Sequence, residues 1–349
     1  MTIDPTPPLL GLDTFGDLTE DRAGRALSAA QVIRNVVAQG EAAEQFGVDA
    51  FSVGEHHRPD FAVAAPEMVL AALAARTERI TLGTAVTVLS TDDPVRLYER
   101  FSTLHALSNG RAEITVGRGS FTESFPLFGF DLADYERLFD ERLELFAALR
   151  SGAPVTWSGE TRAPLYNASV YPPIDGAPLR TWVGVGGSPE SVVRAARHGL
   201  PLQLAIIGGE PARFAPFADL YRRALDEFGH AAQPIAVHSP GHVADSDDEA
   251  LAELYPHFKT NRDRIGAERG WPPMSDAEYR SAAGPNGSLY VGSPETVARK
   301  IAATMRTLGA SRFDLKYSNG PLPHEVSLRA IELYGTKVIP RVRELLAAD

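Results

Sequence analysis

Short apolar runs alternate with amphipathic stretches along almost the whole chain, and no other feature restricts the fold as strongly. The runs fall at 9–13, 49–53, 80–88, 112–116, 181–185, 202–207, 235–243 and 312–316. Stretches with helical periodicity lie between and after them, at 25–46, 66–76, 94–107, 135–150, 189–198, 211–228, 247–264, 294–308 and 324–338. In the first of these, Ala29, Val32, Ile33, Val36 and Val37 share one face, as a helix packed on a sheet requires. Pro66, Pro94, Pro189 and Pro294 each open such a stretch, which suits the first helical turn, where the missing N–H has no partner to lose. Strands that alternate with helices predict a parallel sheet. Eight strand candidates in 349 residues fit a closed α/β barrel, the (β/α)8 TIM barrel, better than an open sheet. No linker, low-complexity segment or shift of composition divides the chain, so a single domain over 1–349 is expected.

Two connections are too long for simple strand-to-helix turns. Residues 151–179 are rich in Pro, Gly and Tyr, and 265–290 contain Trp271-Pro272-Pro273 and Gly284-Pro285-Asn286-Gly287. Loops of this length on a barrel are usually insertions or lids at the C-terminal face, where active sites sit.

Composition removes several classes of function. Lys and Arg total 34 against 45 for Asp and Glu, a net charge of −11, so neither nucleic acid nor an anionic membrane surface is an expected partner. The chain has no cysteine, which excludes disulfides, thiolate zinc sites, iron–sulfur clusters and cysteine nucleophiles. Residues 1–10 lack a basic stretch followed by an apolar one, and no apolar run approaches the ~18–20 residues of a membrane span. A cytoplasmic location is expected.

Residues able to carry chemistry gather at the ends of the strand candidates. The second is followed by Gly54-Glu55-His56-His57-Arg58, where Glu55, His56 and His57 could supply a general base or metal ligands. A single histidine there could equally serve a loop carbonyl, but three ionisable groups in succession favour function. The third contains Gly83-Thr84-Ala85-Val86-Thr87, buried strand unless a ligand lies against its end. The fourth ends in Val116-Gly117-Arg118-Gly119, in which Arg118 either offers a bidentate donor to a phosphate or carboxylate or decorates a tight turn. The fifth runs through Gly184-Val185-Gly186-Gly187-Ser188-Pro189-Glu190-Ser191 into a helix, an arrangement that offers free amides to a phosphate. Gly292-Ser293-Pro294-Glu295 repeats the cap, so only Gly184 and Gly186 distinguish the first copy. A dinucleotide fingerprint is excluded, because its third glycine is replaced by Pro189. His238 and His242, around Ser239-Pro240-Gly241, read as ordinary loop histidines.

Taken in order, Gly54-Glu55-His56-His57, the run from Ile80 to Leu89, Asp93-Pro94-Val95-Arg96, Leu107-Ser108-Asn109-Gly110-Arg111, Val116-Gly117-Arg118-Gly119, Phe128-Gly129 and Gly186-Gly187-Ser188 resemble the bacterial luciferase-like, flavin-dependent monooxygenases. The match covers essentially the whole chain. The resemblance implies a (β/α)8 barrel with reduced FMN at its mouth. Arg118, Gly186, Gly187, Ser188 and Ser191 would hold the phosphate. The flavin ring would rest near Thr84 and the Ala85–Val86 peptide, where the family often shows a non-proline cis bond. His56 is similar to the catalytic histidine of the luciferases, with Glu55 and His57 beside it. The implied activity is that of a flavin-dependent monooxygenase. It would receive FMN from a separate flavin reductase and use O2 to oxidise a small apolar substrate through a flavin C4a-hydroperoxide. A homodimer is implied as well.

The reactive cysteine of the true luciferases is replaced by Gly117, which removes the grounds for expecting a long-chain aldehyde. Three other readings stay open: an FMN- or deazaflavin-dependent dehydrogenase acting by hydride transfer, a flavin-binding relative without activity, and a metal-dependent hydrolase using Glu55, His56, His57, His238 and His242. The last fits poorly, because the first strand, Leu10-Gly11-Leu12-Asp13, lacks the His-x-His such barrels place there. Phe121, Phe125, Phe128, Phe130, Trp157 and Tyr166 suggest an apolar substrate, or simply loop packing.

Overall fold

Polar caps decide where the helices begin: the side chains of Ser28, Asp93, Ser188, Ser246, Ser275 and Ser293 each accept from a first-turn amide. The computed structural model describes residues 7–348. Most of 1–10, the segment examined for a signal, therefore lies outside the described residues. The first half of the chain runs β1 (Leu9–Thr14), α1 (Ala29–Gln45), β2 (Ala50–Val53), α2 (Pro66–Ala74), β3 (Thr81–Thr84), β4 (Thr87–Val88), α3 (Pro94–Leu107), β5 (Glu113–Gly117), α4 (Ser124–Phe128) and α5 (Tyr135–Leu149). It continues through β6 (Val155–Trp157), β7 (Leu165–Ala168), β8 (Arg180–Val185), α6 (Pro189–Arg197), β9 (Leu202–Ala205), α7 (Ala215–Glu227), β10 (Ile235–Val243) and α8 (Asp247–Arg269). The last elements are α9 (Asp276–Ala283), β11 (Tyr290–Gly292), α10 (Pro294–Leu308), β12 (Arg312–Lys316), α11 (His324–Leu333) and α12 (Ile339–Ala347).

The parallel strands follow the order β3-β2-β1-β12-β10-β9-β8-β5-β4. A bridge between Leu82 and Ala112 joins β3 to β5 and brings the two ends of that order together. The result is the α/β barrel expected from the alternation. Along β1, Leu10 and Leu12 belong to the hydrophobic core, while Gly11 and Asp13 turn to the barrel interior, where Gly11 lies against Asp314 and Asp13 meets His238. That interior is polar. Arg312 donates Nε to both oxygens of Asp314 (2.9 and 2.8 Å) and Nη1 to Glu113, and Glu113 also accepts from Trp182 Nε1 (3.2 Å). Gln203 donates to Asp314 at 2.8 Å, so strands β5, β8, β9 and β12 meet in one hydrogen-bonded cluster. Burial pushes the Asp314 carboxyl up to about 6 against the pull of Arg312.

Several boundaries differ from the periodicity. The run at 80–88 is two strands, Thr81–Thr84 and Thr87–Val88, on either side of the cis Ala85–Val86 peptide. The connection at 151–179 contains the antiparallel pair β6–β7. The connection at 265–290 is largely helical: α8 continues to Arg269 and stops at Gly270 in the left-handed conformation, and a capping box at Ser275 and Glu278 starts α9. These elements enclose a second, smaller core around Leu254, Tyr279 and Val291. The stretch 324–338 passes through a π-turn at Tyr334–Val338 into α12, which periodicity did not separate. No helix among the described residues is long and apolar enough to cross a membrane.

Candidate active site

The strand ends gather around one cavity of about 380 Å³, within the usual range of small-molecule sites. Its walls include Phe15, Ala85, Val86, Phe121, Val185 and Ile207, with His56, Arg118 and His238 as polar members.

Glu55, His56 and His57 follow β2 and diverge in role. The His56 amide donates to Val63 O (3.1 Å), which fixes the loop, and its ring lies among Phe61 (centroids 4.2 Å), Phe15 (4.7 Å) and Phe121 (5.6 Å). Its Nδ1 is buried with no partner among the described residues. Burial in this aromatic nest pushes the His56 imidazole down to about 3, so the ring is neutral at physiological pH. Glu55 and His57 line the same cavity, but the Glu55 carboxylate and His57 Nε2 are already engaged. The two oxygens of Glu55 bind His57 Nε2 (2.8 Å) and the Val88 amide (2.9 Å), while its own amide donates to Val86 O (3.2 Å). Glu55 and His57 thus brace the Val86–Val88 backbone rather than present free ligands. Arg58, the next residue, lies over Phe121 at 4.4 Å and bonds Asp60 (3.1 Å), Glu123 and Glu268 of α8. Hydrogen bonding to Glu268 is the main cause holding its guanidinium pKa above the ordinary value.

Thr84 does not line the cavity: its hydroxyl donates to Thr115 O (3.0 Å) and accepts from the Thr115 amide (3.1 Å), stitching β3 to β5. Ala85 and Val86 do line it. Val86 also explains two glycines. A Cβ on Gly117 would stand 2.7 Å from Val86 Cγ2, and one on Gly184 would stand 2.9 Å from Val86 Cγ1. Gly184 therefore serves packing; Gly187, at the entry to α6, has a φ of +112° that suits glycine, and Gly292 at the matching place before Ser293 does the same at +153°.

At the rim, Arg118 donates to Ser191 Oγ (3.0 Å) and contacts the Glu136 carboxylate. Arg194, three residues after Ser191 on α6, donates to Glu136 at 2.9 Å. Sequence reasoning passed over Arg194 and Glu136, although the spacing Ser188, Ser191, Arg194 on one helix would have found the arginine. A carboxylate thus sits between two guanidiniums beside the α6 N-terminus, where helix dipole and cations favour an anion. Ser188 caps that helix by accepting from Ser191 N (3.3 Å), and no acidic side chain accepts from the Gly187 or Ser188 amide among the described residues. The twin turn at Ser293 differs. There Asp247 takes both the Ser293 amide (2.6 Å) and the Thr296 hydroxyl (3.0 Å), so the position is filled from within.

His238 and His242 are strand residues of β10, not loop residues. His242 pairs with Glu253 (2.8 Å), while His238 enters the cavity and pairs with Asp13 (2.7 Å), a partnership the sequence reading missed. Glu55, His56, His57 and His238 line the cavity and His242 does not, and among the described residues no group of three His, Asp or Glu could hold a metal. Of the loop aromatics, Phe121 alone lines the cavity. Phe125 stacks on Tyr135, Phe130 lies under Arg142, Phe128 touches His57, Trp157 is buried and Tyr166 is exposed.

The family model for luciferase-like monooxygenases matches residues 14–312. The chain belongs to that family. A 4-hydroxyprotoasukamycin monooxygenase from Streptomyces nodosus subsp. asukaensis is 29% identical over 311 residues, 85% of this chain and 84% of the relative. Two solved structures share the fold of this luciferase-like monooxygenase. The monooxygenase RslO1 from Streptomyces bottropensis matches at a TM-score of 0.81 and 23% identity, covering 95% of this chain and 99% of its own. The oxygenating constituent of 3,6-diketocamphane monooxygenase from Pseudomonas putida, in complex with FMN, matches at 0.77 and 20%, covering 97% and 99%.

Proposed function

We propose that this chain is the oxygenating component of a two-component flavin monooxygenase: it takes reduced FMN from a separate reductase and uses O2 to oxidise a small, largely apolar substrate. One observation carries this reading. An anion position built from Arg118, Arg194, Ser191 and the α6 N-terminus stands beside a largely apolar cavity lined by His56, a neutral imidazole whose Nδ1 is unpartnered among the described residues. The Glu136 carboxylate between the two arginines is a stand-in for the phosphate, and the ring of FMN suits the apolar walls.

Reduced flavin, when bound, would supply the two electrons that let one oxygen atom of O2 go to the substrate and the other leave as water. The chain supplies the surroundings. Arg118, Arg194, Ser188 and Ser191 hold the phosphate, with the amides of Gly186 and Gly187. Ala85 and Val86, braced by Glu55 and His57, form the shelf for the ring. Phe15, Phe61 and Phe121 exclude water around His56, which offers a hydrogen bond at Nδ1 without carrying charge. The absence of a dinucleotide fingerprint supports a separate reductase.

The test is anaerobic titration of the protein with reduced FMN, followed by oxygen uptake measured against product formed. Tight binding with oxygen uptake coupled to product supports a monooxygenase. Binding with substrate oxidation under anaerobic conditions transfers the reading to hydride chemistry, and no binding removes the flavin. The homodimer belongs to the same proposal and is read by sedimentation equilibrium.

A further inference from the structure

The cavity holds a second imidazole that the reading above leaves idle. His238 stacks on Phe15 with ring centroids 5.8 Å apart and planes 12° apart, and His56 lies against the same phenyl ring at 4.7 Å. One aromatic ring thus separates two histidines that face one cavity.

Their surroundings are opposite. His56 has no partner at Nδ1, and burial pushes it far below the range where it could retain a proton. His238 Nδ1 lies 2.7 Å from Asp13 Oδ2, which makes Nδ1 the donor and leaves Nε2 as a lone pair. Nε2 takes no protein partner among the described residues, although the ring lines the cavity. Asp13 is wholly buried, and its second oxygen, Oδ1, has no hydrogen-bond partner among the described residues. A buried carboxylate with an unused oxygen is compensated when its neighbour becomes a cation.

The other charged groups around the pair are already committed. Asp314 and Lys316 of β12 stand in register with His238 and Asp13 respectively. Asp314 is bound by Arg312 and Gln203, while Lys316 is paired with Asp17 (3.2 Å) and lies over Phe15 at 4.5 Å. On β9, Gln203 and Ala205 bring no charge to the cavity, and Glu253 of α8 is taken by His242.

We propose that His238, oriented by Asp13, is the general base for a substrate hydroxyl, and that the substrate class is a phenol or an enol. The inference rests on reading this cavity as an oxygenase site. In the step, the substrate O–H bond breaks, the proton forms an N–H bond at Nε2, and the electron pair remains on oxygen. The imidazolium is held by the Asp13 carboxylate, and the oxyanion left behind is the electron-rich form that an electrophilic oxygen attacks. His238 is catalytic in this scheme, and Asp13 is a positioning residue.

The probe is 4-nitrophenol, whose anion absorbs visible light and whose neutral form does not. In flavin-free protein, the bound probe is expected to ionise with an apparent pKa about one unit below its value in water, a tenfold shift of the equilibrium. Asp13→Asn should return that value to the one in water with probe affinity nearly unchanged, His238→Gln should abolish the shift, and His56→Gln should keep it. An unshifted pKa in the wild type, or an equal shift in His238→Gln, overturns the proposal, and absence of binding overturns the substrate class. If His238→Gln does not fold, the near-isosteric Asp13→Asn carries the test. Quenching of FMN fluorescence is measured on the same proteins: loss of the probe shift with FMN binding intact defeats this proposal alone, and a shift without FMN binding defeats the flavin reading alone.

Discussion

The side chain of Val86 rests on the bare Cα of Gly117, close enough that a Cβ there would come within 2.7 Å of Val86 Cγ2. This contact gives glycine at 117 a packing reason: the space a side chain would take belongs to Val86. Gly117→Ala should destabilise the protein by about 1–3 kcal/mol through overpacking, and it should weaken FMN binding because Val86 is part of the cavity wall. Val86→Ala in the same chain should recover most of the stability. Urea denaturation of the single and double variants decides the point, and additive losses would show that the contact is not the cause.

Glu136 holds the place between Arg118 and Arg194, with its side chain 58% exposed. On the proposed reading a flavin phosphate would displace it. Glu136→Gln should therefore tighten FMN several-fold while leaving riboflavin, which has no phosphate, unchanged. Arg194→Gln should weaken FMN about tenfold, the loss of one charge-assisted hydrogen bond. Parallel titrations with the two flavins read both effects.

The two Ser-Pro-Glu turns provide an internal control. Asp247→Ala uncovers the Ser293 amide and the Thr296 hydroxyl and should cost roughly 1–2 kcal/mol of stability with no change in FMN affinity. Ser188→Ala removes the Ser191 cap and should lower both stability and FMN affinity. Equal responses to FMN in the two variants would mean that the turns are interchangeable.

His56 predicts a pH dependence of folding with a definite sign. Its folded value of about 3 lies below the ordinary 6.5, so between those values the unfolded chain binds the proton and the native one does not. This contribution is complete above pH 6.5 and is lost as pH falls towards 3. Replacing His56 with Gln should make stability at pH 5 fall less, relative to pH 7, by about 1–2 kcal/mol. Denaturant midpoints of both proteins at the two pH values measure the difference.

Period and punctuation made the barrel legible. Strands alternate with helices, prolines and serines mark the helix starts, and each apolar run buries its leucines and valines on schedule. The helical part of 265–290 was hidden because α8 and α9 pack on their own small core, so their polar outer faces mask the period. Within the site, Glu55-His56-His57 stood out by density and Arg118 by its flanking glycines, but their roles separate only in space. Asp13 and His238 lie 225 residues apart, and in sequence the one reads as an ordinary strand residue and the other as a loop histidine, because pairing across a barrel leaves no mark in local sequence. Arg194 was passed over for a different reason: an arginine late in a short helix has many uses.

The cluster of Arg312, Asp314, Glu113 and Gln203 does for the barrel what a keyed lock does for a shaft. A slide of one residue along any of β5, β9 or β12 would send its polar member to the helix side and strand the remaining charges in the interior. The strands are thus held in the one alignment that sets Asp13 of β1 against Lys316 and His238 of β10 against Asp314, close enough for the Asp13–His238 pair to form.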